Sequence, residues 1–291
     1  MNAPAETQLL AAIATLSQRL DDVTRLVRET RQLVGPFAVP FPDGSLLTQT
    51  IHGLKYFLDP DDLITTPQMV IYRQWEADIS QMFRSLCRPD SVVVDIGANF
   101  GYFSVLAANL IGTGGGGQVI AFEPNPSLCK LLRRNRDINW SIAPVVLHEI
   151  ALGEGEEQLV LHVPKCRGAN GSLSPPEGMA CDEIPVQVRR LDDVLPPNLA
   201  VDIMKIDVEG HEATVLRGAQ AVMARSPDLH IILEWSRTQM KAAGISPQDV
   251  LSLLDGFVPH RIALGSGPVE HPQSIAWLME QDYTDVLFAR R

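Results

Sequence analysis

Val92-Val93-Val94-Asp95-Ile96-Gly97-Ala98-Asn99-Phe100-Gly101-Tyr102-Phe103-Ser104 is the stretch whose reading decides the fold. A run of β-branched apolar residues that ends in an acid and then a turn of small residues reads as a buried parallel strand. Its C-terminal end is turned towards a ligand. Tyr102–Ile111 continues as a helix. Gly97 and Gly101 permit a tight turn and a close approach of backbone to ligand, with the free N–H groups of the helix start facing it. This is the first loop of a Rossmann-like unit, although its spacing is not the G-x-G-x-x-G of dinucleotide enzymes.

Two further stretches sharpen the reading. After the glycine-rich residues 112–117 comes a second strand, Gln118–Phe122, ending in Glu123. An acid there can accept hydrogen bonds from both hydroxyls of a ribose. Residues 200–206 supply another strand, beside the first, whose exit carries Asp207, Glu209, His211 and Glu212. Residues 229–235 read as the fifth parallel strand and bring Glu234 to the same edge.

Asp95-Ile-Gly-Ala-Asn-Phe-Gly-Tyr102, Phe122-Glu-Pro-Asn-Pro126 and Lys205-Ile-Asp-Val-Glu-Gly-His-Glu212 together closely resemble the FkbM family of S-adenosylmethionine-dependent methyltransferases. The resemblance runs from about Asp62 to the last residue, and its third motif is the most specific. It implies an α/β, Rossmann-like, seven-stranded class I methyltransferase fold with a mostly parallel sheet and an antiparallel C-terminal hairpin. It also implies methyl transfer, usually to a hydroxyl oxygen of a sugar or glycan, polyketide or other secondary metabolite. Carried onto this chain, the cofactor side comprises Asp95, Gly97, Ala98, Asn99, Gly101, Tyr102, Glu123, Pro124, Asn125 and Asp207, with Glu149 and Ala151 flanking the adenine. In this fold a preceding helix, here expected over residues 68–86, lies over the cofactor's methionine end. Tyr72, Trp75 and Glu76 are therefore candidate pocket residues or, equally, core.

The transfer is an in-line displacement that needs alignment and removal of a proton. Asp207, His211 and Glu209 are the candidate catalytic groups; a histidine paired with a carboxylate can act as general base near neutral pH. His211 and Glu212 can instead be ordinary first-turn helix residues, with Glu212 favoured by the helix dipole. Asp207 and Glu234 could bind Mg²⁺ through oxygen ligands, but no complete ligand set is visible and no metal is the preferred expectation. Other readings stay open: an inactive cofactor-binding scaffold, or a nicotinamide-dependent oxidoreductase, which would also place Glu123 on a ribose.

The chain of 291 residues is expected to comprise a coiled-coil helix over 1–35, a linker and cap helix over 36–90, and a methyltransferase domain over 91–291. Leu9, Ile13, Leu16, Leu20, Val23 and Val27 recur at alternating steps of four and three, the a/d pattern of a coiled coil. At roughly 1.5 Å per residue the helix would be about 40 Å long. Homo-oligomerisation through residues 9–34 follows, with packing on the chain's own domain or on a partner as the alternatives. A net charge of −11 argues against a nucleic-acid surface. Four cysteines without C-x-x-C spacing, no secretory leader and no membrane-length apolar run point to a cytoplasmic protein with reduced thiols.

Between the expected strands at 158–163 and 184–188, the loop 164–183 reads as a lid over the acceptor pocket. Residues 37–53 read as a linker or small hairpin. Cys129 is expected in the core, and His148, which alternates with apolar neighbours, as a structural histidine.

Overall fold

The computed structural model describes residues 38–140, 142–165, 171–175, 178, 180–263 and 271–290, together with 13, 15–24, 26, 27 and 30. The chain divides into two compact units, residues 1–37 and 38–291. In the first, the described residues are helical, and Ile13, Leu16, Leu20, Val23, Leu26 and Val27 are all exposed. Leu9 and residues 31–35, which the coiled-coil reading includes, lie outside the described residues.

The second unit is built on a seven-stranded sheet. Its strands are β4 (Val92–Ile96), β5 (Gln118–Phe122), β6 (Val145–His148), β10 (Ile203–Ile206), β11 (His230–Ser236), β12 (Phe257–Arg261) and β13 (Tyr283–Arg290), in the order β12-β13-β11-β10-β4-β5-β6. From β6 to β11 every pairing is parallel, whereas β13 runs antiparallel to both β11 and β12. This is the expected seven-stranded fold, hairpin included.

Apolar layers cover the sheet on both faces, which is why its strands read as continuous apolar runs. Alternate residues serve opposite layers: Val93, Ile203 and Ile232 pack into one with helix α3 (Tyr102–Ile111), and Val94, Met204 and Ile231 into the other with helix α6 (Glu212–Arg217). Full burial of each such side chain contributes about 1.5–3 kcal/mol. Lys205 interrupts this run and is only 4% exposed.

Residues 38–58 form an antiparallel meander, β1 (Val39–Pro40), β2 (Leu46–Gln49) and β3 (Lys55–Leu58), the hairpin alternative to a linker. It is fastened to helix α4 (Pro126–Ile138) by the fully buried Asn135. That amide accepts from Phe57 N–H at 2.6 Å and donates to the Phe57 and Phe100 carbonyls at 3.1 and 2.8 Å.

The single helix expected over 68–86 is two helices, α1 (Thr65–Tyr72) and α2 (Ala77–Leu86). Arg73 and Glu76 adopt left-handed φ angles of 57° and 40° at the break. There the chain is claimed by the meander: Arg73 O accepts from Ile51 N–H at 2.8 Å and Arg73 Nε donates to Gln49 O at 3.0 Å. No glycine or proline marks the break, so the sequence pattern runs through it.

A smaller sheet, β7 (Ala151–Leu152), β9 (Cys181–Arg189) and β8 (Glu157–Pro164), carries the connection expected to be a lid. Cys166, Asn170, Pro176 and Glu177 of that connection lie outside the described residues. The remaining helices are α5 (Leu191–Val194), α7 (Gln220–Ala224), α8 (Arg237–Ala242), α9 (Pro247–Leu253) and α10 (Ile275–Glu280). Among the described residues no helix is long and apolar enough to cross a membrane.

Candidate active site

A cavity of about 260 Å³ opens at the C-terminal ends of the parallel strands. Gly97, which follows β4, has φ 79°, and a Cβ there would collide with the carbonyl of Asp207. Glycine is therefore required by the closeness of the β4 and β10 exits. Gly101 serves another purpose: its φ is 88° and a Cβ would meet Leu132 Cγ at 2.6 Å, so it lets the start of α3 pack on α4. The loop's own N–H groups, as distinct from those of the helix start, are taken up within the protein. Gly97 and Ala98 N–H both donate to Phe122 O at 3.0 Å, Asn99 N–H donates to Glu123 Oε2 at 2.9 Å, and Gly101 N–H donates to Ala98 O at 2.8 Å. Phe122 O, at the end of β5, and the carboxylate of Glu123 just beyond it thus hold the first three donors, while the Gly101 N–H closes the turn on Ala98.

Glu123 is buried at 5% exposure and lines the cavity. Its Oε1 accepts from Asn125 N–H at 2.8 Å, so each oxygen holds one backbone donor and keeps further lone pairs. Burial raises its pKa to about 7, against the lowering effect of those two donors. Asn125 also caps α4 by accepting from Ser127 N–H at 3.0 Å. Apolar walls come from Leu128, Ile150, Leu152 and Phe122.

The opposite side is acidic. Asp207 Oδ2 lies 2.7 Å from Lys205 Nζ, and that ammonium also sits 4.9 Å from the centre of the Phe103 ring. Burial acts to lower the lysine's pKa, yet the attraction of Asp207, Glu76 and Asp95 leaves it raised. Glu76, brought to the cavity by the break between α1 and α2, has its pKa pushed up by burial to about 8. Glu234 on β11 is pushed up to about 10, by burial first and then by Asp207, Glu209, Glu212 and Asp285. Its Oε1 accepts from Tyr283 O–H at 3.0 Å.

His211, the cap residue of α6, lines the same cavity, and its Nε2 is 2.9 Å from Ser174 Oγ. Burial holds its pKa below the ordinary histidine value. Glu209, at φ 55°, accepts a short hydrogen bond from Gln239 Nε2, and its carbonyl accepts from Ser172 Oγ at 3.2 Å. Glu212 turns back to accept from Gly210 and Val208 N–H at 3.1 and 3.4 Å. That is the helix-start role open to it, and burial lifts its pKa to about 7. Gly171 and Leu173 of the connection between β8 and β9 complete the lining.

The structure thus gathers Gly97, Asn99, Glu123, Pro124, Asn125, Ala151, Asp207, Glu209, His211, Glu234, Trp75 and Glu76 around one cavity. Asp95, Ala98, Gly101, Tyr102, Glu149 and Tyr72 are not among its lining residues. Asp95 is sealed beneath it, accepting from Ser104 Oγ at 2.6 Å, because its position on β4 pairs with Lys205 on β10. Tyr102 is a core ring with its hydroxyl 3.0 Å from Ser80 Oγ. Glu149 turns outward to an ion pair with Arg133, and Tyr72 is 65% exposed. Cys129 and His148 take structural places: the thiol donates to Glu123 O at 3.0 Å and the imidazole stacks on Phe122 at 4.9 Å.

Lys205, Ser174, Gln239 and Tyr283 were not legible as site residues. Only Lys205 had a signal, a charge inside an apolar strand. Asp207 and Glu234 share the cavity, but among the described residues no group of three or more His, Cys, Asp or Glu side chains has a metal-holding arrangement.

Residues 95–283 match the family model described as the methyltransferase FkbM domain. The chain is 30% identical over 149 residues to Methyltransferase 1 of Beauveria bassiana, covering 44% of this chain and 58% of that protein. It is 26% identical over 186 residues to the hexuronic acid methyltransferase AglP of Haloferax volcanii, covering 62% and 67%. To the 2-O-methyltransferase NoeI of Sinorhizobium fredii it is 24% identical over 193 residues, covering 61% and 76%.

Proposed function

Because the chain belongs to the FkbM methyltransferase family, we propose that it moves a methyl group from S-adenosylmethionine to a hydroxyl oxygen of a sugar, glycan, polyketide or similar metabolite. The observation that carries this reading is the meeting of Glu123, Asp207, His211 and Glu234 on one cavity. They come from three strand ends and a helix cap, at the sheet edge where open α/β folds place their ligands.

The residues present suit the methyl donor. Glu123 retains lone pairs for ribose hydroxyls, Leu128, Ile150 and Leu152 supply an apolar slot for a purine, and the acids beyond favour positive charge. S-adenosylmethionine supplies, when bound, a methyl group on a cationic sulfur that an oxygen nucleophile can displace.

The chain's own groups bind, align and deprotonate the acceptor. His211 is neutral at pH 7 because burial depresses its pKa, and Ser174 marks a hydroxyl position within hydrogen-bond reach of Nε2. An acceptor hydroxyl that replaces Ser174 Oγ at Nε2 gives its proton to the ring. Asp207, fixed by Lys205, accepts a hydrogen bond from the acceptor and fixes its orientation. The sugar-acid and 2-O transfer in the names of two relatives supports oxygen as the target.

The exposed apolar stripe of residues 13–27 supports self-association of the chain through its N-terminal helix. The free thiols of Cys87 and Cys129 support a cytoplasmic setting, and the net charge of −11 supports a small-molecule or glycan acceptor over nucleic acid.

Calorimetric titration with S-adenosylmethionine, followed by transfer of a labelled methyl group to a panel of hydroxylated sugars, tests the proposal. Micromolar binding with label in an ether-linked methyl supports it; a folded protein that binds no S-adenosylmethionine overturns it.

A further inference from the structure

The far end of the cavity holds two carboxyl oxygens with nothing to bond. Glu234 Oε2 and Glu76 Oε2 are buried and have no hydrogen-bond partner among the described residues, and both side chains line the cavity. Glu234 is 9% exposed, so its free oxygen is withdrawn from bulk water as well as from protein donors. A buried carboxyl in that state is costly unless a ligand completes it.

The surroundings specify the sign of that ligand. Asp285, which pairs in register with Glu234 across β11 and β13, has its pKa raised to about 7 by burial and by Asp207. Asp207, Glu209 and Glu212 act on Glu234 from the β10 exit and the start of α6, and Asp78 of α2 acts on Glu76. Lys205 is the cation among them, and its Nζ is engaged by Asp207. Tyr283 donates its hydroxyl to the other Glu234 oxygen. Crowding of these acids holds their protons on, and a cation relieves that crowding whereas an anion adds to it. A divalent ion lacks its ligand set, since no group of three or more acids or histidines is arranged to hold one among the described residues. A protonated amine, with three donors and one charge, suits a free carboxyl oxygen, and both Glu234 and Glu76 are within electrostatic reach of Asp207, Asp285 and Tyr283.

Sheet order separates this pole from the ribose acid. Glu123 ends β5 and Glu234 lies on β11, with β4 and β10 between them. Three strand spacings of about 4.8 Å put them roughly 14 Å apart across the sheet. A nucleoside anchored at Glu123 extends over β4 towards Asp207, and the Glu234 side remains for the second substrate.

We propose that Glu234 and Glu76 form a subsite for a protonated amine on the methyl acceptor, so that the acceptor is a hydroxylated amine such as an amino sugar. The inference rests on the methyltransferase reading and names its substrate class.

The test uses the full chain with ¹³C-labelled glutamate carboxyls, saturated with S-adenosylhomocysteine as checked by calorimetry. Carboxyl resonances are followed against pH with methylammonium chloride or with sodium chloride at equal ionic strength, and Glu234→Gln assigns the Glu234 signal; if that variant does not fold, Glu234→Asp assigns it. The expected result is a fall of about one unit or more in the Glu234 titration midpoint with methylammonium only. Glu76→Gln should reduce the fall.

Equal midpoints in the two salts overturn the subsite. A methylammonium response seen only in a parallel titration of the protein free of S-adenosylhomocysteine also overturns it, because the pole then belongs to the cofactor. Absence of S-adenosylhomocysteine binding in the calorimeter is a separate result, which removes the functional reading and the subsite with it.

Discussion

Lys205 and Asp95 face each other in register on β10 and β4, and Lys205 Nζ reaches 2.7 Å from Asp207 Oδ2 at the strand exit. One buried ammonium therefore sits under the acids of the cavity, drawn to Asp207, Glu76 and Asp95. Replacing it with an apolar residue of similar length leaves those carboxyls uncompensated. Lys205→Met is expected to destabilise the protein by about 3 kcal/mol, the low end for breaking a buried pair because Asp207 is partly exposed. Urea unfolding measures this; a stability equal to wild type would show the pair to be dispensable.

Glu123 holds two backbone donors and has lone pairs left for a ligand. Glu123→Ala should weaken S-adenosylmethionine binding by about 1 to 3 kcal/mol, the scale of lost hydrogen bonds to a charged or buried acceptor. Calorimetry at a temperature where both proteins are folded reads the difference, and unchanged affinity removes Glu123 from the binding site.

His211 is depressed below the usual histidine pKa by burial, so it is in its proton-accepting form at pH 7. Turnover should fall on acidification only once the pH passes below about 6.5, the unperturbed value. His211→Ala should cost about 10²–10⁴-fold in kcat and abolish that acid limb. A variant with the wild-type pH profile excludes the histidine as base.

The raised carboxyls set a pH dependence of stability in the opposite direction. Glu123, Glu212 and Asp285 at about 7, Glu76 at about 8 and Glu234 at about 10 bind protons in the folded chain that the unfolded chain releases near the ordinary carboxylate value. Their contribution is complete below that ordinary value and is lost as pH rises through the folded values. The ligand-free protein should have a lower Tm at pH 9 than at pH 6, and Glu234→Gln should flatten the decline. A Tm that rises over this interval contradicts the assignment.

Removal of residues 1–35 should lower the mass measured by light scattering if the apolar stripe from Ile13 to Val27 joins chains. A truncated protein with the same multiple of chain mass shows that assembly lies elsewhere.

What the sequence determined is what short-range patterning and chemistry can encode. Val92–Ile96 and its neighbours are apolar on both faces, which dictates a covered parallel sheet, and the acids at their ends mark the edge where a ligand sits. Glu123 and Asp207 were legible because each follows an apolar strand, His211 because it lies in the exit of one, and Glu234 because it is an acid near the end of one. Tertiary structure decided the direction and company of each group. Gly101 leaves room for Leu132, the Gly97 and Ala98 N–H groups close on Phe122 at the end of β5, and Asp95 is drawn beneath the site by its register with Lys205. The helix break at Arg73 carries hydrogen bonds to residues 49 and 51, and Glu76 at its far side lines the cavity. Such contacts join residues remote in sequence, where propensity and periodicity carry no information, and burial among them, rather than residue type, moved the carboxyl pKa values upward.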